Sequence, residues 1–392
     1  MSKKRGNGEG SIFQDKSGRW RGVITVGVNA NGSQKRKTLY GKTRKEVSEK
    51  LNQALSDFQN HVCIEASKMK LSGWLAHWLS TYAVNDLRLS TKVSYETYIR
   101  GHILPILGNT SLSKLTPQRI QEFYNYKLEN GRLDGKGGLD PKTVRNVHNM
   151  LHKSLEQAVK LDLIPRNPCD ATVLPSKKKK EIRFLTVEEQ SFLQQAIVGE
   201  RLGIGIMIDL FTGMRLGELL GLTWENVDLD AGYLKVRKTI NRLKDFDKNS
   251  KNRTRIVVGE PKTEHSKRTI PLLNELVTML NEHKKNQQIE KQNAYGVYQD
   301  HGFVICNELG QPYDPKTFQD FFKRMVKKAG IRDINFHALR HTFATRALEK
   351  GIPAKTVSEL LGHSTITITL DLYTHVTEDT KKDAIAKLQD LL

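Results

Sequence analysis

A proline followed, one residue later, by four consecutive lysines at positions 175–180 divides the sequence into two unequal parts. Proline interrupts helices and strands, and a run of like charges resists burial, so this segment is typical of a linker between domains. A chain of 392 residues is also too long for one ordinary hydrophobic core. The sequence therefore predicts a multidomain protein, with domains at residues 1–60, 61–175 and 176–392.

The net charge indicates a polyanionic partner. Lysine and arginine total 63 residues against 43 aspartates and glutamates, which gives a formal net charge of +20. Nucleic acid is the most common partner of so basic a chain, although a basic protein without such a partner is the alternative. The apolar content of 38% is enough for packed cores and argues against disorder.

Several protein classes are excluded by simple patterns. Cys63, Cys169 and Cys306 lie far apart without a CxxC pair, so neither a disulfide framework nor a zinc site is indicated. The basic residues 2–5 are followed by a glycine-rich stretch, which is not typical of a secretory signal. Apolar runs stay well short of the roughly 18 residues of a membrane span. We expect a cytoplasmic protein without a membrane segment.

The first 60 residues combine strand patterns with positive charge. Alternating runs at 10–13, 19–26 and 34–40 are separated by turns, one of which contains an Asn-Gly pair. Thr43, with Glu46 three residues later, predicts the start of a helix. Such a sheet, backed by one helix, can enter a DNA groove, or its charges can simply be solvated. The candidate DNA-binding residues here are Arg19, Arg21, Lys35, Arg36 and Lys37.

Residues 61–175 show helical patterns throughout. Thr116 and Asp140 each precede a proline, an arrangement typical of helix N-termini. Trp74 and Trp78 are spaced one turn apart, and we expect them in the core. Basic side chains at helix starts often contact phosphates. Further candidate DNA contacts are Lys92, Lys142 and Arg145, together with Lys177, Lys178, Lys179 and Lys180 of the linker, which is a flexible tether, a strap along DNA, or both.

Residues 176–392 mix helices with a small antiparallel sheet. An apolar helix at 202–211 breaks at Gly213 and restarts with Arg215. A buried arginine is costly without a partner, and Glu218 is the obvious candidate. Alternating runs at 233–240 and 269–272 predict the sheet, with a polar insertion at 242–255 and a hairpin tip at 260–268.

The stretch at 336–373 carries the residues best suited to chemistry. His337 and Arg340 share one helix face, His363 follows a glycine, and Tyr373 lies ten residues later. Guanidinium groups clamp the non-bridging oxygens of a phosphodiester, and a phenol is a nucleophile. We interpret the stretch as a phosphoryl-transfer site that attacks DNA through tyrosine.

Five short motifs occur in an order that resembles the tyrosine recombinases, the phage integrase family. They are Arg215-x-x-Glu218, Pro261-Lys262-Thr263, His337-x-x-Arg340, Leu361-Gly362-His363 and Tyr373. The resemblance implies a three-domain integrase of a phage or an integrative conjugative element of Gram-positive type. Its fold would be multidomain α+β: an arm-binding domain with a three-stranded sheet and a helix, an all-helical SAM-like core-binding domain, and a mainly helical catalytic domain with a small antiparallel sheet.

The resemblance also implies a type IB mechanism. Tyr373 would attack the scissile phosphate to give a 3′-phosphotyrosine and a free 5′-hydroxyl, while Arg215 and Arg340 neutralise the phosphate oxygens. His337 would act as general base or proton relay, because a phenol with a pKa near ~10 needs help at neutral pH. Type IB topoisomerases share this chemistry and are one alternative, and a non-catalytic DNA-binding regulator is another.

The remaining roles follow from the same resemblance. Lys262 would protonate the leaving 5′-oxygen, with Lys267 as the alternative because of the nearby polar insertion. His363 would donate to a phosphate oxygen, and Glu218 would hold Arg215. Neither ATP nor a metal would be required, and the sequence has no P-loop. His341 stands four residues after His337, but the glutamate of a zinc protease motif is missing, so we expect a structural residue there.

The resemblance implies macromolecular partners as well. These are double-stranded DNA attachment sites, three further copies of the chain in a tetramer, an excisionase and a host DNA-bending protein. The lysine-rich amphipathic segment 378–392 either caps its own domain or docks on a neighbouring protomer, and we favour exchange between protomers.

Overall fold

The computed structural model describes residues 10–28, 34–59, 69–83, 87–176, 183–247, 250, 252–261 and 266–373, with the backbone alone at 26–28, 34–35, 56–59 and 371–373. Its internal contacts divide the chain into two compact units, residues 1–179 and 180–392. The finer division into three domains stays a prediction.

A three-stranded antiparallel sheet begins the first unit. Its strands, in spatial order, and the helix that follows are β1 (Ser11–Gln14), β2 (Trp20–Val28), β3 (Gln34–Gly41) and α1 (Arg44–Gln59). The Thr43 hydroxyl accepts a hydrogen bond of 3.1 Å from the backbone N–H of Glu46 and caps the helix. Ile24 on the sheet packs with Leu51 on the helix in a buried core. Since side chains alternate along a strand, Arg21 lies on the opposite face of the sheet.

The rest of the first unit is helical. Its helices are α2 (Leu71–Thr81), α3 (Leu89–Tyr98), α4 (Leu104–Leu107), α5 (Pro117–Asn130) and α6 (Pro141–Lys160). Trp74 and Trp78 are buried as expected, and the Trp74 indole donates to the Ser154 carbonyl at 3.1 Å, which joins α2 to α6. The side chains of Thr116 and Asp140 accept backbone hydrogen bonds at the starts of α5 and α6, so both predicted caps are confirmed.

The second unit is mainly helical around one large core. Its helices are α7 (Val187–Ala196), α8 (Gly203–Thr212), α9 (Leu216–Leu220), α10 (Asn274–Asn293), α11 (Pro315–Lys328), α12 (His337–Glu349), α13 (Ala354–Leu361) and α14 (Thr367–Tyr373). Helix α8 is almost entirely buried and packs against α12 and α10. None of the helices within the described ranges is long and apolar enough to cross a membrane.

The strands of the second unit correct one prediction. They are β4 (Val227–Asp228), β5 (Tyr233–Lys235), β6 (Thr239–Lys244), β7 (Thr254–Gly259) and β8 (Thr269–Pro271). The run at 233–240 is not one strand, because β5 pairs with β4 and β8 while β6 pairs only with β7 among the described strands. Strands β7 and β8, which flank residues 260–268, belong to different sheets and do not form the predicted hairpin, while the ends of the polar insertion are paired strands. Alternation identifies extended backbone but not its partner.

Candidate active site

A glycine in the left-handed conformation determines where Arg215 lies. Gly213 follows helix α8 with φ 59° and ψ 29°, and its N–H donates to the Asp209 carbonyl at 2.8 Å. A Cβ at this position would lie 2.6 Å from Cδ2 of Leu361 and 2.7 Å from Cδ1 of Phe343. Only glycine fits such a helix end, and the chain restarts as α9 with Arg215 at its N-cap.

The buried carboxylate of Glu218 holds Arg215 in place. Nη1 of Arg215 donates to Oε1 of Glu218 at 2.7 Å, and the Arg215 backbone N–H donates to Oε2 at 3.1 Å. The Arg215 side chain is 41% exposed whereas that of Glu218 is 4% exposed, so the guanidinium stays open to a ligand. Burial raises the pKa of Glu218, but Arg268 and Arg215 together lower it below its ordinary value, and the carboxylate stays charged.

Arg340 lies almost completely buried on the first turns of α12. Its Nη1 donates a hydrogen bond of 2.7 Å to the carbonyl of Gly213, and its Nη2 has no partner among the described residues. Burial and the neighbouring Arg215 and Arg268 lower the pKa of Arg340. A buried cation with an unused donor, beside further cations, is stabilised by a bound anion.

His337 begins α12, one turn before Arg340. Its ring packs edge-on against His341, with the ring centroids 4.6 Å apart. Burial, Arg340 and Arg215 lower the pKa of His337, and burial together with His337 lowers that of His341 to about 4. Both imidazoles are therefore neutral near pH 7, and His341 packs against the ring of the predicted base.

His363 follows a second left-handed glycine. Gly362, with φ 65°, ends helix α13, and its carbonyl accepts from Nη2 of Arg215 at 3.2 Å. Nδ1 of His363 forms a hydrogen bond of 2.9 Å with the hydroxyl of Thr369 on helix α14. Burial, Arg340 and Arg215 lower the pKa of His363 to about 3. Within the second unit, the cations Arg215 and Arg340 and the neutral imidazoles of His337 and His363 are thus brought into one cluster.

The side chains of two predicted catalytic residues lie outside the described part of the structure. Tyr373 is the last residue of α14, which packs against α12 and α13, and only its backbone is described. Lys262 lies outside the described residues, as does the tail at 378–392. Lys267, the alternative to Lys262, has its Nζ 3.1 Å from Oε2 of Glu260.

Two buried charged residues of this cluster were missed by sequence reasoning. Arg268, just before β8, contacts Glu218, and Asp209 on α8 is fully buried near Arg340 and Arg268. Burial raises the pKa of Asp209 well above its ordinary value. A carboxylate inside the apolar run at 203–211 was the available signal for Asp209. Arg268 stood in a stretch of polar residues and gave no comparable signal.

The predicted DNA-binding residues of the first unit lie in several settings. Arg21 stands between the rings of Phe13 and Tyr40, with its guanidinium 5.7 and 5.9 Å from the two centroids. Arg19 is exposed, is paired with Asp15 at 3.3 Å, and has its guanidinium 5.5 Å from the centroid of the same Tyr40 ring.

The other candidate DNA-binding residues lie on β3, on α3, on α6 and in the linker. Arg36 and Lys37 lie on β3, where Lys35 is described by its backbone alone. Lys92 lies on α3, and Lys142 and Arg145 lie in the first two turns of α6. Arg145 donates to the Pro175 carbonyl at 2.7 Å. Lys177, Lys178, Lys179 and Lys180 lie outside the described residues.

Comparison with known families gives two matches along the chain. Residues 183–380, half of the chain, match the phage integrase family, and residues 70–128 match the phage integrase N-terminal SAM-like domain. A protein named tyrosine recombinase XerC-like, from Caldanaerobacter subterraneus subsp. tengcongensis, is 33% identical over 95% of this chain and 96% of its own. The ICEBs1 integrase of Bacillus subtilis is 24% identical over 97% of this chain and 100% of its own.

Solved structures give the same result. The Tn1549 transposon integrase in complex with transposon right end DNA matches with a TM-score of 0.65 and 25% identity, covering 82% of this chain and 100% of that one. A lambda integrase dimer bound to a COC′ core site shares the fold, with a TM-score of 0.54 and 19% identity over 94% of this chain and 96% of that one.

These likenesses confirm the predicted multidomain α+β fold, and they do not favour the topoisomerase or the regulator. With the family match spanning the arginine and histidine cluster and a relative similar over nearly its whole length, the chain belongs to the phage integrase family and is a tyrosine recombinase.

Proposed function

We propose that this recombinase integrates or excises a mobile element by a type IB mechanism at double-stranded attachment sites. One observation carries the proposal: Arg340 donates to the carbonyl of Gly213, two residues before Arg215, and Arg215 donates to the carbonyl of Gly362, so both guanidinium groups are anchored at helix ends of one cluster. Two guanidinium groups repel each other unless an anion lies between them. A phosphodiester of DNA supplies that anion, and guanidinium forks match its oxygens.

The reaction exchanges one phosphodiester bond for another. The Tyr373 oxygen forms a bond to phosphorus while the bond from phosphorus to the 5′-oxygen breaks, which leaves a 3′-phosphotyrosine. His337 takes the phenolic proton, and Lys262, or Lys267 in its place, gives a proton to the departing 5′-oxygen. A 5′-hydroxyl of the partner DNA then attacks the phosphotyrosine and releases the tyrosine. Because the bond energy is retained in the intermediate, no nucleotide hydrolysis is needed.

The protonation states of the histidines support these roles. The lowered pKa of His337 keeps its imidazole neutral, as a proton acceptor must be. His363 is neutral as well, and with Nδ1 bonded to Thr369 its Nε2 is left to donate to a phosphate oxygen. Glu218 holds the Arg215 guanidinium in place through the ion pair described above.

Recombination between two sites requires four cleavages, and we propose a tetramer on DNA in which segment 378–392 of each protomer docks on its neighbour. The basic residues of the first unit bind the DNA flanks, in the cytoplasm where the DNA lies. An excisionase and a host DNA-bending protein are further predicted partners. A chain that lacks residues 378–392 should cleave single sites but fail to join paired ones, and wild-type synapsis by that chain would refute the exchange.

The covalent intermediate provides the direct test. A duplex nicked close to the cleavage site loses its 5′-hydroxyl fragment by diffusion and traps the phosphotyrosine. The wild-type chain should form a complex that resists denaturation, in EDTA as well, and Tyr373→Phe should abolish it. Tyr313→Phe, at a tyrosine in the second unit outside the cluster, is the matched control and should leave the yield unchanged. A covalent complex with Tyr373→Phe would remove the proposed nucleophile.

A further inference from the structure

Arg268 connects three elements of the second unit from a buried position. Its side chain is 6% exposed. Nη2 lies 3.0 Å from Oε2 of Glu218 on α9, Nε donates to the carbonyl of Leu360 near the end of α13 at 2.5 Å, and Nη1 donates to the carbonyl of Ser266 at 3.1 Å. Nε and Nη1 therefore hydrogen-bond to backbone carbonyls, while Nη2 forms an ion pair with Glu218 without hydrogen-bond geometry.

These contacts converge on the elements that carry the proposed catalytic groups. Glu218 holds Arg215, and Leu360 stands three residues before His363. The end of α13 is thus held twice, because Arg268 binds the Leu360 carbonyl and Arg215 binds the Gly362 carbonyl. Arg215 and Arg268 also share the Glu218 carboxylate. The same carboxylate and the end of α13 therefore hold both guanidinium groups in place.

On the basis of the proposed function, we infer that Arg268 is a positioning residue for DNA cleavage. It holds Glu218 and the end of α13 in one arrangement, so that Arg215 and His363 meet the same phosphate. It does not touch the phosphate itself, since its side chain is only 6% exposed and its guanidinium is paired with Glu218 inside the protein. A lysine at this position would keep the charge but could not reach three acceptors, because an ammonium group lacks the planar fork.

The charges around Glu218 give this role a pH signature. Arg215 faces Glu218 from its own helix, Arg268 from the segment before β8, and Arg340 from α12. Asp209 on α8 also lies nearby, but burial raises its pKa well above the ordinary value, which disfavours its charged form. Burial raises the Glu218 pKa, and Arg268 is the largest opposing influence. Without Arg268 the pKa of Glu218 rises, so the carboxylate is protonated as the pH falls and releases Arg215. Cleavage should then fail on the acid side.

The test measures single-turnover cleavage of the nicked duplex against pH, with the full-length chain. Arg268→Met should cleave between about 10 and 100 times more slowly, the range typical of residues that orient catalytic groups. The cleavage rate of Arg268→Met should also decline as the pH falls. Adding Glu218→Gln to Arg268→Met should remove that decline, because glutamine does not titrate. Arg268→Lys should be slower than wild type without the acid decline, because the cation beside Glu218 remains. Binding of intact duplex should be unchanged in each variant.

Arg201 offers a matched control. It also joins a carboxylate to a carbonyl, with Nε 2.6 Å from Oε1 of Glu290 and Nη1 2.8 Å from the Cys306 carbonyl, but it lies outside the cluster. Arg201→Met should lower the melting temperature to a similar extent and leave the cleavage rate and its pH dependence unchanged.

Each other outcome counts against the inference. Wild-type rates in Arg268→Met, or a loss that is equal at every pH and matched by Arg201→Met, would show a merely structural residue. If Arg268→Met does not fold, a wild-type rate in Arg268→Lys decides against the role. A wild-type chain that forms no covalent complex would instead overturn the proposed function, and this inference with it.

Discussion

Arg340 donates a hydrogen bond of 2.7 Å from Nη1 to the backbone carbonyl of Gly213. Gly213 stands two residues before Arg215, so this bond anchors the Arg340 guanidinium to the backbone that leads into Arg215, 125 positions earlier in the sequence. The opposite nitrogen of Arg340 has no partner among the described residues, although it is buried. Nη1 of Arg340 therefore holds the side chain in position, while Nη2 is left to bind a ligand.

Arg340→Lys should reduce cleavage of the nicked duplex by roughly 100-fold or more, the usual cost of losing one preorganised donor to a transition state. A lysine cannot bond to the Gly213 carbonyl and a phosphate oxygen in the same directions. Arg346→Lys is the control on the same helix, because Arg346 binds the Leu185 carbonyl and Glu349 instead. Yields of covalent complex over time measure both, and equal rates in the two variants would contradict the assignment.

Gly213→Ala should lower both the free energy of unfolding and the rate of DNA cleavage. Alanine is strained at φ 59°, and its Cβ would clash with Leu361 and Phe343. Gly351 has φ 77° and no atom within 4 Å of an added Cβ, so Gly351→Ala carries the backbone strain alone, about 1 kcal/mol. Overpacking should add a further ~1–3 kcal/mol for Gly213→Ala. Urea unfolding measures the difference, and equal losses would argue against the clash.

His363 should make the fold less stable in acid. Its pKa is about 3 in the folded chain, below the ordinary value of ~6.5 for an unfolded histidine. The unfolded state therefore binds more protons between these values, and the stability conferred by neutral His363 is complete above pH ~6.5 and is lost as the pH falls toward 3. Unfolding of His363→Gln should depend less steeply on pH over this window. The exposed His301→Gln should follow wild type, and parallel curves for all three chains would contradict the prediction.

Arg21→Ala should weaken DNA binding by the full chain more than Arg19→Ala does. The DNA to use is that from the ends of the mobile element that the recombinase is proposed to move. Two aromatic rings, Phe13 and Tyr40, flank the Arg21 guanidinium, whereas Arg19 contacts the Tyr40 ring, is 68% exposed and is paired with Asp15. A base-reading arginine typically contributes about 1–3 kcal/mol and a phosphate contact mainly alters the salt dependence. Fluorescence anisotropy at several salt concentrations separates the two, and a larger loss from Arg19→Ala would reverse the assignment.

Local signals made much of this fold predictable. Thr43, Thr116 and Asp140 cap helices through groups only two or three residues away, and the spacing of Glu218 from Arg215 is one helical turn. Such contacts depend on neighbours in the sequence, which a pattern can detect.

Contacts between distant segments were not predictable in the same way. Arg268 lies 50 positions from Glu218 and 92 from Leu360, and no local pattern indicates either partner. The prediction of a single strand at 233–240 was wrong for the same reason, because strand pairing depends on segments elsewhere in the chain. The order and spacing of the motifs indicated the cluster, but not the buried residues beneath it.

The glycine carbonyls that bind Arg215 and Arg340 have one further consequence. A main-chain oxygen is present whatever residue occupies the position, so mutation of a side chain cannot delete these two acceptors; it can only displace them by bending a helix end. Descendants of this chain can therefore diverge widely in the surfaces that select a DNA sequence, while the anchoring of the two cations is inherited with the path of the backbone.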